Sequence, residues 1–378
     1  MTAAKMIPDI GPVPNFEKFP LNNSDWRDGL LVRSPNWLGD AVMTLPALAV
    51  LRRTIPHPCG LFVVCPRGLA PLFRMLPEVV DTVVELADAH SFPNREEKSR
   101  VRWLNAGIGL LFNNSFRDAL WIKTCRVPKL FGTDARFRSF LLARAFRFPP
   151  RLDHQLNLPH QAAKYLSMAQ ALGAPEWDGV LPEFDLPYEP EIWPDELRAA
   201  LEEKNLLALA PGAAYGAAKR WDPLRFGEVA QWWVREKQGK AVLLCTGKEA
   251  AEARKALAGL PPGSFYDLAG KTTLETLMLI LKKAACCVAN DSGAMHLAAA
   301  LGTCGVAPFG STDPAATSPL SKKWRILFDK QPCAPCFKRI CPKGNPVCMK
   351  AISASDVIDA VRELTESPPS AGAQKSSC

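Results

Sequence analysis

The sequence has no apolar run long enough to form a transmembrane helix. Every hydrophobic segment is shorter than the ~18 residues that a membrane span requires. The N-terminus carries prolines and acidic residues where a signal peptide would have its apolar core. From these two absences we predict a cytoplasmic protein without a transmembrane segment.

The sequence also lacks the continuous basic tract, interleaved with aromatic residues, that is typical of nucleic-acid binding. The formal net charge of +8 favours anionic partners, and we expect no nucleic acid among them. Basic residues are concentrated locally between Arg117 and Arg151. This concentration has two interpretations that we weigh equally: a solvated basic surface, or a site for a phosphorylated or membrane-bound anionic substrate.

Two common phosphate-binding motifs are missing. The chain contains neither GxGxxG nor the P-loop GxxxxGK[ST], so the mechanism of neither motif is assumed, and a dehydrogenase is disfavoured. An Asp-x-Asp pair, which could bridge a diphosphate through a metal ion, does not occur either.

The chain has 378 residues, more than one ordinary hydrophobic core accommodates, and this length predicts two domains. Short apolar runs alternate with amphipathic stretches, which predicts repeated βα units, an α/β fold class and mostly parallel, doubly wound sheets. Strands are predicted at 29–34, 59–65, 81–86, 106–112, 206–210, 241–246, 265–268, 286–289 and 305–309. Helices are predicted at 40–53, where Pro46 either bends the helix or lies in its first turn with Thr44 as the cap, and at 224–237, 249–258, 274–283 and 293–301.

A Pro-rich segment at 181–195, with four prolines in LPEFDLPYEPEIWPD, predicts a linker between the domains. The predicted organisation is an N-terminal extension 1–27, a first domain 28–182, a linker 183–198, a second domain 199–362 and a disordered tail 363–378. Two such domains are expected to face a cleft with the carboxyl ends of their strands, where open α/β sheets bind ligands.

Three segments that follow predicted strands contain candidate site residues. In RSPNWLGDAVMTLPAL, Gly39 allows a tight turn and Asp40 stands at the start of a helix, where it is either a cap or a functional group. In LAPGAAYGAAKRWD, the loop after Gly212 suits close approach to a phosphate that Lys219 would neutralise; the alternative is a flexible surface loop.

The third segment, VANDSGAMHLAAALGTCGVAPFG, places Asp291 and Ser292 before an apolar helical stripe. A strand-to-helix turn of this kind presents free amides and the positive end of the helix dipole to an anion. Asp291 is alternatively a simple cap, and His296 is alternatively a packing residue.

Together, LGDAVMTLPAL, APGAAYGAAKRW, NDSGAMHLAAALG and APFGSTDPAATSP resemble glycosyltransferase family nine, the ADP-heptose:lipopolysaccharide heptosyltransferases. The resemblance extends from about Leu31 to Val357. It implies a GT-B architecture, in which two Rossmann-like domains bind the acceptor on the N-terminal side and the ADP-sugar on the C-terminal side. It also implies an inverting enzyme that transfers heptose from ADP-heptose to the heptosyl-Kdo-lipid A inner core of lipopolysaccharide.

The resemblance implies roles for individual residues. Asp40 matches the catalytic base, which would take the proton of the acceptor hydroxyl. The donor-binding positions are Gly212, Lys219, Glu249, Asp291, Ser292, Gly293 and His296, and the acceptor-side positions are Gly39, Arg117 and Arg138. Because Lys219 and the helix N-terminus can neutralise the departing diphosphate, we expect metal-independent catalysis without a cofactor.

The expected partners are ADP-heptose and the lipid A-Kdo-heptose acceptor, the latter at the surface of the inner membrane. Peripheral attachment to the cytoplasmic face of that membrane is therefore one alternative for the location. Two other functions remain open: the same fold and chemistry with a different donor or acceptor, and a non-catalytic nucleotide-binding protein.

Four of the twelve cysteines, Cys333, Cys336, Cys341 and Cys348, form a C-x2-C-x4-C-x6-C cluster. In a cytoplasmic protein such spacing suits a metal. However, these four cysteines are closer together in the sequence than the two well-separated ligand pairs of a usual zinc site. A structural metal site and a compact thiol cluster both remain possible interpretations. We expect neither to be required for catalysis.

Overall fold

A computed structural model describes residues 9–150, 158–187 and 193–366. The chain divides into two compact units, and the division falls between Tyr188 and Glu189, inside the Pro-rich segment. The larger parts of the two units are residues 10–188, which we call the first unit, and residues 189–314 with 318–366, which we call the second unit; α13, which spans this gap, is given with the second unit because of its place in the chain.

The first unit contains a six-stranded parallel sheet in the order β3-β2-β1-β4-β5-β6. Its strands are β1 Gly29–Arg33, β2 Gly60–Pro66, β3 Thr82–Leu86, β4 Ile108–Leu111, β5 Lys129–Thr133 and β6 Arg144–Phe146. Its described helices are α1 Asn23–Trp26, α2 Leu38–Met43, α3 Leu45–Arg52, α4 Ala70–Arg74, α5 Arg95–Trp103, α6 Phe116–Thr124 and α7 Gln161–Ala171.

The second unit contains another six-stranded parallel sheet, in the order β12-β11-β10-β7-β8-β9. Its strands are β7 Leu206–Ala210, β8 Lys240–Leu243, β9 Phe265–Asp267, β10 Cys286–Ala289, β11 Gly305–Phe309 and β12 Trp324–Phe328. Its described helices are α8 Asp195–Glu202, α9 Pro223–Glu236, α10 Ala250–Ala253, α11 Leu274–Lys283, α12 Gly293–Ala300, α13 Pro314–Thr317, α14 Val347–Lys350 and α15 Ala354–Glu366.

Both sheets have the same connectivity. The first and fourth strands of each unit are neighbours, with Leu31 beside Gly109 in one sheet and Leu209 beside Val288 in the other. The chain then continues outward in opposite directions from each central pair. In a doubly wound sheet such a reversal opens a crevice at the carboxyl ends of the central strands, where ligands bind. Ligand-binding residues are therefore expected in the loops after β1 and β4 in the first unit and after β7 and β10 in the second.

The central strands are buried on both faces, which is why they are continuously apolar in sequence. Every residue of β1 and β7 is buried. Large aromatic side chains fill the space between sheet and helices, such as Trp121 in the first unit and Trp221 and Trp233 in the second. None of the helices in the described part of the chain has both the length and the apolar character that a membrane crossing requires.

All nine predicted strands are present, but three further strands, β5, β6 and β12, were not predicted. The predicted helix 40–53 is two helices, with Pro46 in the first turn of the second one. Thr44 precedes that helix, but its hydroxyl donates to the Ala41 carbonyl (2.6 Å) and does not cap. The predicted helix 249–258 is only partly α-helical, because α10 passes into a 3-10 turn at Arg254–Leu257.

Several described residues of the predicted N-terminal extension pack on the first unit. Phe16 contacts Phe146, Phe19 meets Phe131 edge-on, and the Trp26 carbonyl accepts a hydrogen bond from the Gly107 amide (3.0 Å). At the other end, α15 continues to Glu366, so the predicted disordered tail begins with helical residues. Residues 1–8, 188–192 and 367–378 of the predicted extension, linker and tail lie outside the described residues.

We predict that Trp26→Ala destabilises the first unit by about 3–5 kcal/mol, because it empties a buried aromatic site. Trp26 is 5% exposed, whereas Trp103 of the same unit is 84% exposed. The matched control Trp103→Ala should change stability by less than about 0.5 kcal/mol. Urea unfolding followed by circular dichroism measures both, and equal midpoints for the two variants would contradict the prediction.

Candidate functional site

A cavity of about 680 Å³ lies at the carboxyl ends of the first unit's strands. Asn36 and Asp40 follow β1, Asn113 and Arg117 follow β4, and Arg136 follows β5. Tyr165, on α7, contributes to the same wall. Three strand-end loops therefore form one concave surface at the crevice that the strand order predicts.

Asp40 lies in the first turn of α2, where the N-cap position is occupied by Trp37. Asp40 is therefore not the N-cap residue, although a negative charge is favourable at this end of a helix. Its half-buried side chain lines the cavity. Burial raises the pKa of Tyr165 well above its usual range, and the negative charge of Asp40 adds to the shift. The carboxylate and the phenol are thus close enough to interact electrostatically.

A buried ion pair connects the loops that form this cavity. The Nε atom of Arg33, at the end of β1, lies 2.9 Å from Oδ2 of Asp118 in α6, and both side chains are inaccessible to solvent. Arg33 also donates to Oδ1 of Asn36 (2.8 Å), and Asp118 accepts from Nδ2 of Asn113 (2.6 Å). Burial lowers the pKa of Arg33, and the charge of Asp118 opposes this shift. Sequence analysis missed the pair, although a charged residue ending an apolar strand was a signal for it.

The three predicted acceptor-side residues have different environments. Arg117 lines the cavity with Asp40, and its Nε and NH2 atoms lie 3.1 Å from Oδ1 of Asp118. Arg138 is fully buried and donates to the carbonyl and hydroxyl of Thr133 (3.1 and 2.9 Å), and burial lowers its pKa to about 10. Neither Arg138 nor Gly39 belongs to the cavity wall. The structure therefore brings only Arg117 of these three into the cavity with Asp40.

In the second unit, Lys219 and Asp291 form an ion pair across the central strands. Lys219 ends a 3-10 turn after β7, Asp291 follows β10, and Nζ lies 2.6 Å from Oδ2. Thr312 donates to the same carboxylate oxygen (2.5 Å), and the ammonium lies 4.9 Å from the ring centre of Tyr215. Both charges are largely buried. Sequence analysis predicted Lys219 and Asp291 but not Thr312, which lies in the APFGSTDPAATSP motif.

The N-terminus of α12 adjoins this pair in sequence. Ser292 occupies the N-cap position without a side-chain cap hydrogen bond, Gly293 is the first helical residue, and His296 is buried in the first turn. The Ser292 Oγ atom is buried and has no hydrogen-bond partner among the described residues. Free helix amides and a buried hydroxyl next to an ammonium form a set of donors that suits phosphate oxygens.

Asn290 connects the loops after β7 and β10. This buried side chain accepts from the Trp221 amide (3.0 Å) and donates to the Pro211 carbonyl (2.6 Å). It belongs to the NDSG segment but was not predicted as a site residue. Its two hydrogen bonds hold the loop after β7 close to Asp291, the residue that directly follows Asn290.

Glu249 holds the loop after β7 from the other side. Its carboxylate accepts from the Ala213 amide (2.8 Å), the Arg220 guanidinium (3.0 Å) and the Thr246 hydroxyl (2.8 Å). A Cβ atom at Gly212 would lie 2.7 Å from Glu249 Oε2, so a larger residue there would displace this carboxylate. Glu249 and Arg220 line a cavity of about 550 Å³ whose wall does not include Lys219 or Asp291.

The four clustered cysteines come together around a small cavity of about 30 Å³. Burial raises the pKa of the Cys348 thiol, and the nearby Cys333 and Cys336 raise it further. Among the residues that the structure describes, no group of three or more His, Cys, Asp or Glu side chains has a geometry that could hold a metal ion.

Comparison with known proteins identifies the family of the chain. Residues 98–346 match the model of glycosyltransferase family 9 (heptosyltransferase). The chain is 28% identical over 326 residues to lipopolysaccharide heptosyltransferase 2 of Salmonella typhimurium, covering 79% of this chain and 87% of that protein.

Two solved structures have the same fold. One is the ADP-heptose lps heptosyltransferase II of E. coli, with a TM-score of 0.71 at 24% identity, covering 89% of this chain and 98% of that one. The other is a family 9 glycosyl transferase from Veillonella parvula, with a TM-score of 0.75 at 21% identity, covering 93% and 100%.

The fold is that of a GT-B glycosyltransferase, as predicted, with two Rossmann-like units. More narrowly, the chain belongs to glycosyltransferase family 9 (heptosyltransferase) and is an enzyme of this class. The family resemblance drawn from the sequence motifs is confirmed.

We predict that the double substitution Cys333→Ser and Cys336→Ser leaves kcat per folded molecule near normal, because neither side chain lines the candidate cavities of about 680 and 550 Å³. As a comparison, Cys348→Ser should lower the melting temperature more, since it buries a hydroxyl in place of an apolar thiol. Steady-state kinetics, metal analysis and thermal melts measure these effects. A well-folded double variant that loses both activity and a stoichiometric metal would contradict the prediction.

Proposed function

We propose that this enzyme transfers heptose from ADP-heptose to the heptosyl-Kdo-lipid A inner core of lipopolysaccharide, with inversion at the anomeric carbon. The observation that carries the proposal is the Lys219–Asp291 pair beside the N-terminus of α12, a site suited to a diphosphate. Family membership and the names of the relatives support heptose as the sugar and lipopolysaccharide as the acceptor class. The reaction would take place in the cytoplasm, at the inner face of the inner membrane.

The second unit would bind the donor. When the diphosphate binds, its oxygens would compete with Asp291 for the Lys219 ammonium and would accept from the Ser292 hydroxyl and the first amides of α12. Thr312 would continue to satisfy Asp291 while Lys219 is shared. Positive charge and aligned amide dipoles would stabilise the ADP that leaves. Glu249, which lines the cavity of about 550 Å³, would accept hydrogen bonds from the ribose hydroxyls. Gly212 would let the backbone pass close to the ligand.

The first unit would bind the acceptor in the cavity that Asp40 and Arg117 line. Arg117 would contact anionic groups of the acceptor, while the buried Arg138 would hold the loop beneath them. As the acceptor oxygen bonds to the anomeric carbon, the bond from that carbon to the phosphate oxygen breaks and its electron pair stays with ADP. The proton of the acceptor hydroxyl would pass to Asp40.

The direct test is mass spectrometry of products formed from ADP-heptose and acceptors of graded truncation. We expect a mass increase of one heptosyl residue on an acceptor that already carries Kdo and one heptose. Product from another nucleotide-sugar, with none from ADP-heptose, would replace the proposed donor. ADP binding without product from any donor and acceptor would favour a non-catalytic nucleotide-binding protein.

We predict that Asp40→Asn lowers kcat by about 10²–10⁴-fold, the usual contribution of general-base catalysis. The amide keeps the shape of the carboxylate but cannot take the proton. Because the donor would be held by the second unit, ADP affinity should stay within a few-fold. Steady-state kinetics and calorimetric ADP titration measure the two effects.

Asp40→Ala separates catalysis from helix stabilisation. If Asp40 serves mainly to stabilise α2, this variant should melt at a lower temperature and keep its turnover. A fully active Asp40→Asn enzyme would end the assignment of Asp40 as the base.

We predict that Lys219→Ala weakens ADP binding by about 10–100-fold, because a charge-assisted hydrogen bond contributes roughly 1.5–3 kcal/mol. The control is Lys204→Ala, which removes an exposed lysine from the same unit and should leave ADP affinity unchanged. The variant also leaves Asp291 without its buried cation, so its melting temperature should fall. Calorimetry on both variants decides the point, and wild-type ADP affinity in Lys219→Ala would exclude this role.

A further inference from the structure

The loop 134–142, between β5 and β6, exposes two aromatic side chains that the proposed chemistry does not use. Phe137 is 94% exposed and Phe140 is 76% exposed. The Phe140 ring lies 6.1 Å from the ring of Phe116, a residue that is 36% exposed, so the aromatic surface continues onto α6. Adjacent apolar side chains that face water in this way mark an interaction surface more often than singly scattered ones do.

The backbone of this loop is held in a conformation that directs the phenylalanine outward. Arg136 and Phe137 are consecutive residues with positive φ, 52° and 58°, which costs free energy for residues with side chains. From beneath, the buried Arg138 binds Thr133 and the Ser115 carbonyl (3.2 Å). The Asp134 carboxylate accepts from the hydroxyl of Ser139 on the other side of the loop. The exposed rings are therefore presented by a braced loop.

Exposed cations accompany the aromatic rings on this side of the unit. Arg136 directly precedes Phe137 and is exposed. The Arg147 side chain, after β6, is largely exposed, although it pairs with Asp134 (2.6 Å). Asp134 is the single acidic residue between positions 119 and 150. Apolar rings beside exposed cations are complementary to an anionic lipid surface, where rings enter the interface and cations attract the headgroups.

We propose that the loop 134–142 docks the enzyme on an anionic lipid bilayer through Phe137 and Phe140. The inference rests on the proposed function, because a lipid-linked acceptor must be reached at a membrane. Asp134, Ala135 and Arg136 of the same loop also line the first-unit cavity with Asp40. Docking would therefore place the mouth of that cavity at the lipid surface. A second copy of the chain is a poorer occupant, since it would bring the same positive charge against this surface.

The test is sedimentation of the full chain with acceptor-free vesicles, either of phosphatidylcholine alone or with about one third phosphatidylglycerol. We expect binding to the anionic vesicles that weakens as salt is raised, and much weaker binding to the neutral ones. Phe137→Ser with Phe140→Ser should lower the partition coefficient by about 10–100-fold. The matched control is Trp103→Ser, which removes an equally exposed aromatic from another part of the unit and should bind like the wild type.

Turnover with a delipidated, water-soluble acceptor separates this proposal from the proposed function. The double variant should keep wild-type turnover on that acceptor and lose turnover on acceptor embedded in anionic vesicles. Absence of turnover on every acceptor, with vesicle binding intact, would overturn the function but not the docking surface. Wild-type vesicle binding by the double variant would overturn the docking surface, as would a change from oligomer to monomer in gel filtration without a change in vesicle binding.

Discussion

A buried ion pair at the carboxyl ends of the first and fourth strands organises each unit of this enzyme. In the first unit it joins Arg33 to Asp118, and in the second it joins Lys219 to Asp291. The strand order makes these segments neighbours. In each unit the second and third strands lie on one side of the first strand, and the chain then returns to place the fourth strand on its other side. Neither charge of a pair could be buried without the other, since an isolated charge in a protein interior is strongly unfavourable. The pair therefore fixes two loops at the position where the sheet leaves room for a ligand.

The two pairs differ in a way that suits different roles. Arg33 is inaccessible to solvent and uses its planar guanidinium to hold Asp118, Asn36 and the Ser34 carbonyl (2.5 Å) at once. Such a cation is committed to structure, and a ligand has no access to it. Lys219 is a point charge on a flexible stem, and it retains some exposure. Its partner carboxylate has a second donor in Thr312, so the ammonium can be shared with a phosphate without leaving Asp291 unsatisfied.

Much of the fold could be predicted because the central strands are buried on both faces and are therefore continuously apolar in sequence. The strands β5 and β6 were missed because KLFGT and RAF are short and begin with cations; β6 is at an edge of its sheet and β5 lies next to it. The strand β12, at an edge of the second unit's sheet, was missed as well. Lys219 and Asp291 could be anticipated from their motifs, and they do meet. The Arg33–Asp118 pair was not predicted, because Arg33 at the end of an apolar strand indicated a buried charge but not its partner, which is 85 positions away.

The basic residues between 117 and 147 show why composition does not determine function. Charge counting treats Arg117, Arg138 and Arg147 as equivalent, and it left a solvated surface and an anion site as equal interpretations. The structure gives the three residues different environments: a cavity wall for Arg117, complete burial for Arg138 and an exposed surface for Arg147. The buried guanidinium of Arg138 donates its hydrogen bonds to backbone carbonyls, so it holds a loop in place but does not attract a ligand. Burial and hydrogen-bond partners distinguish a cation that can bind a ligand from one that holds a loop, and both depend on the tertiary structure.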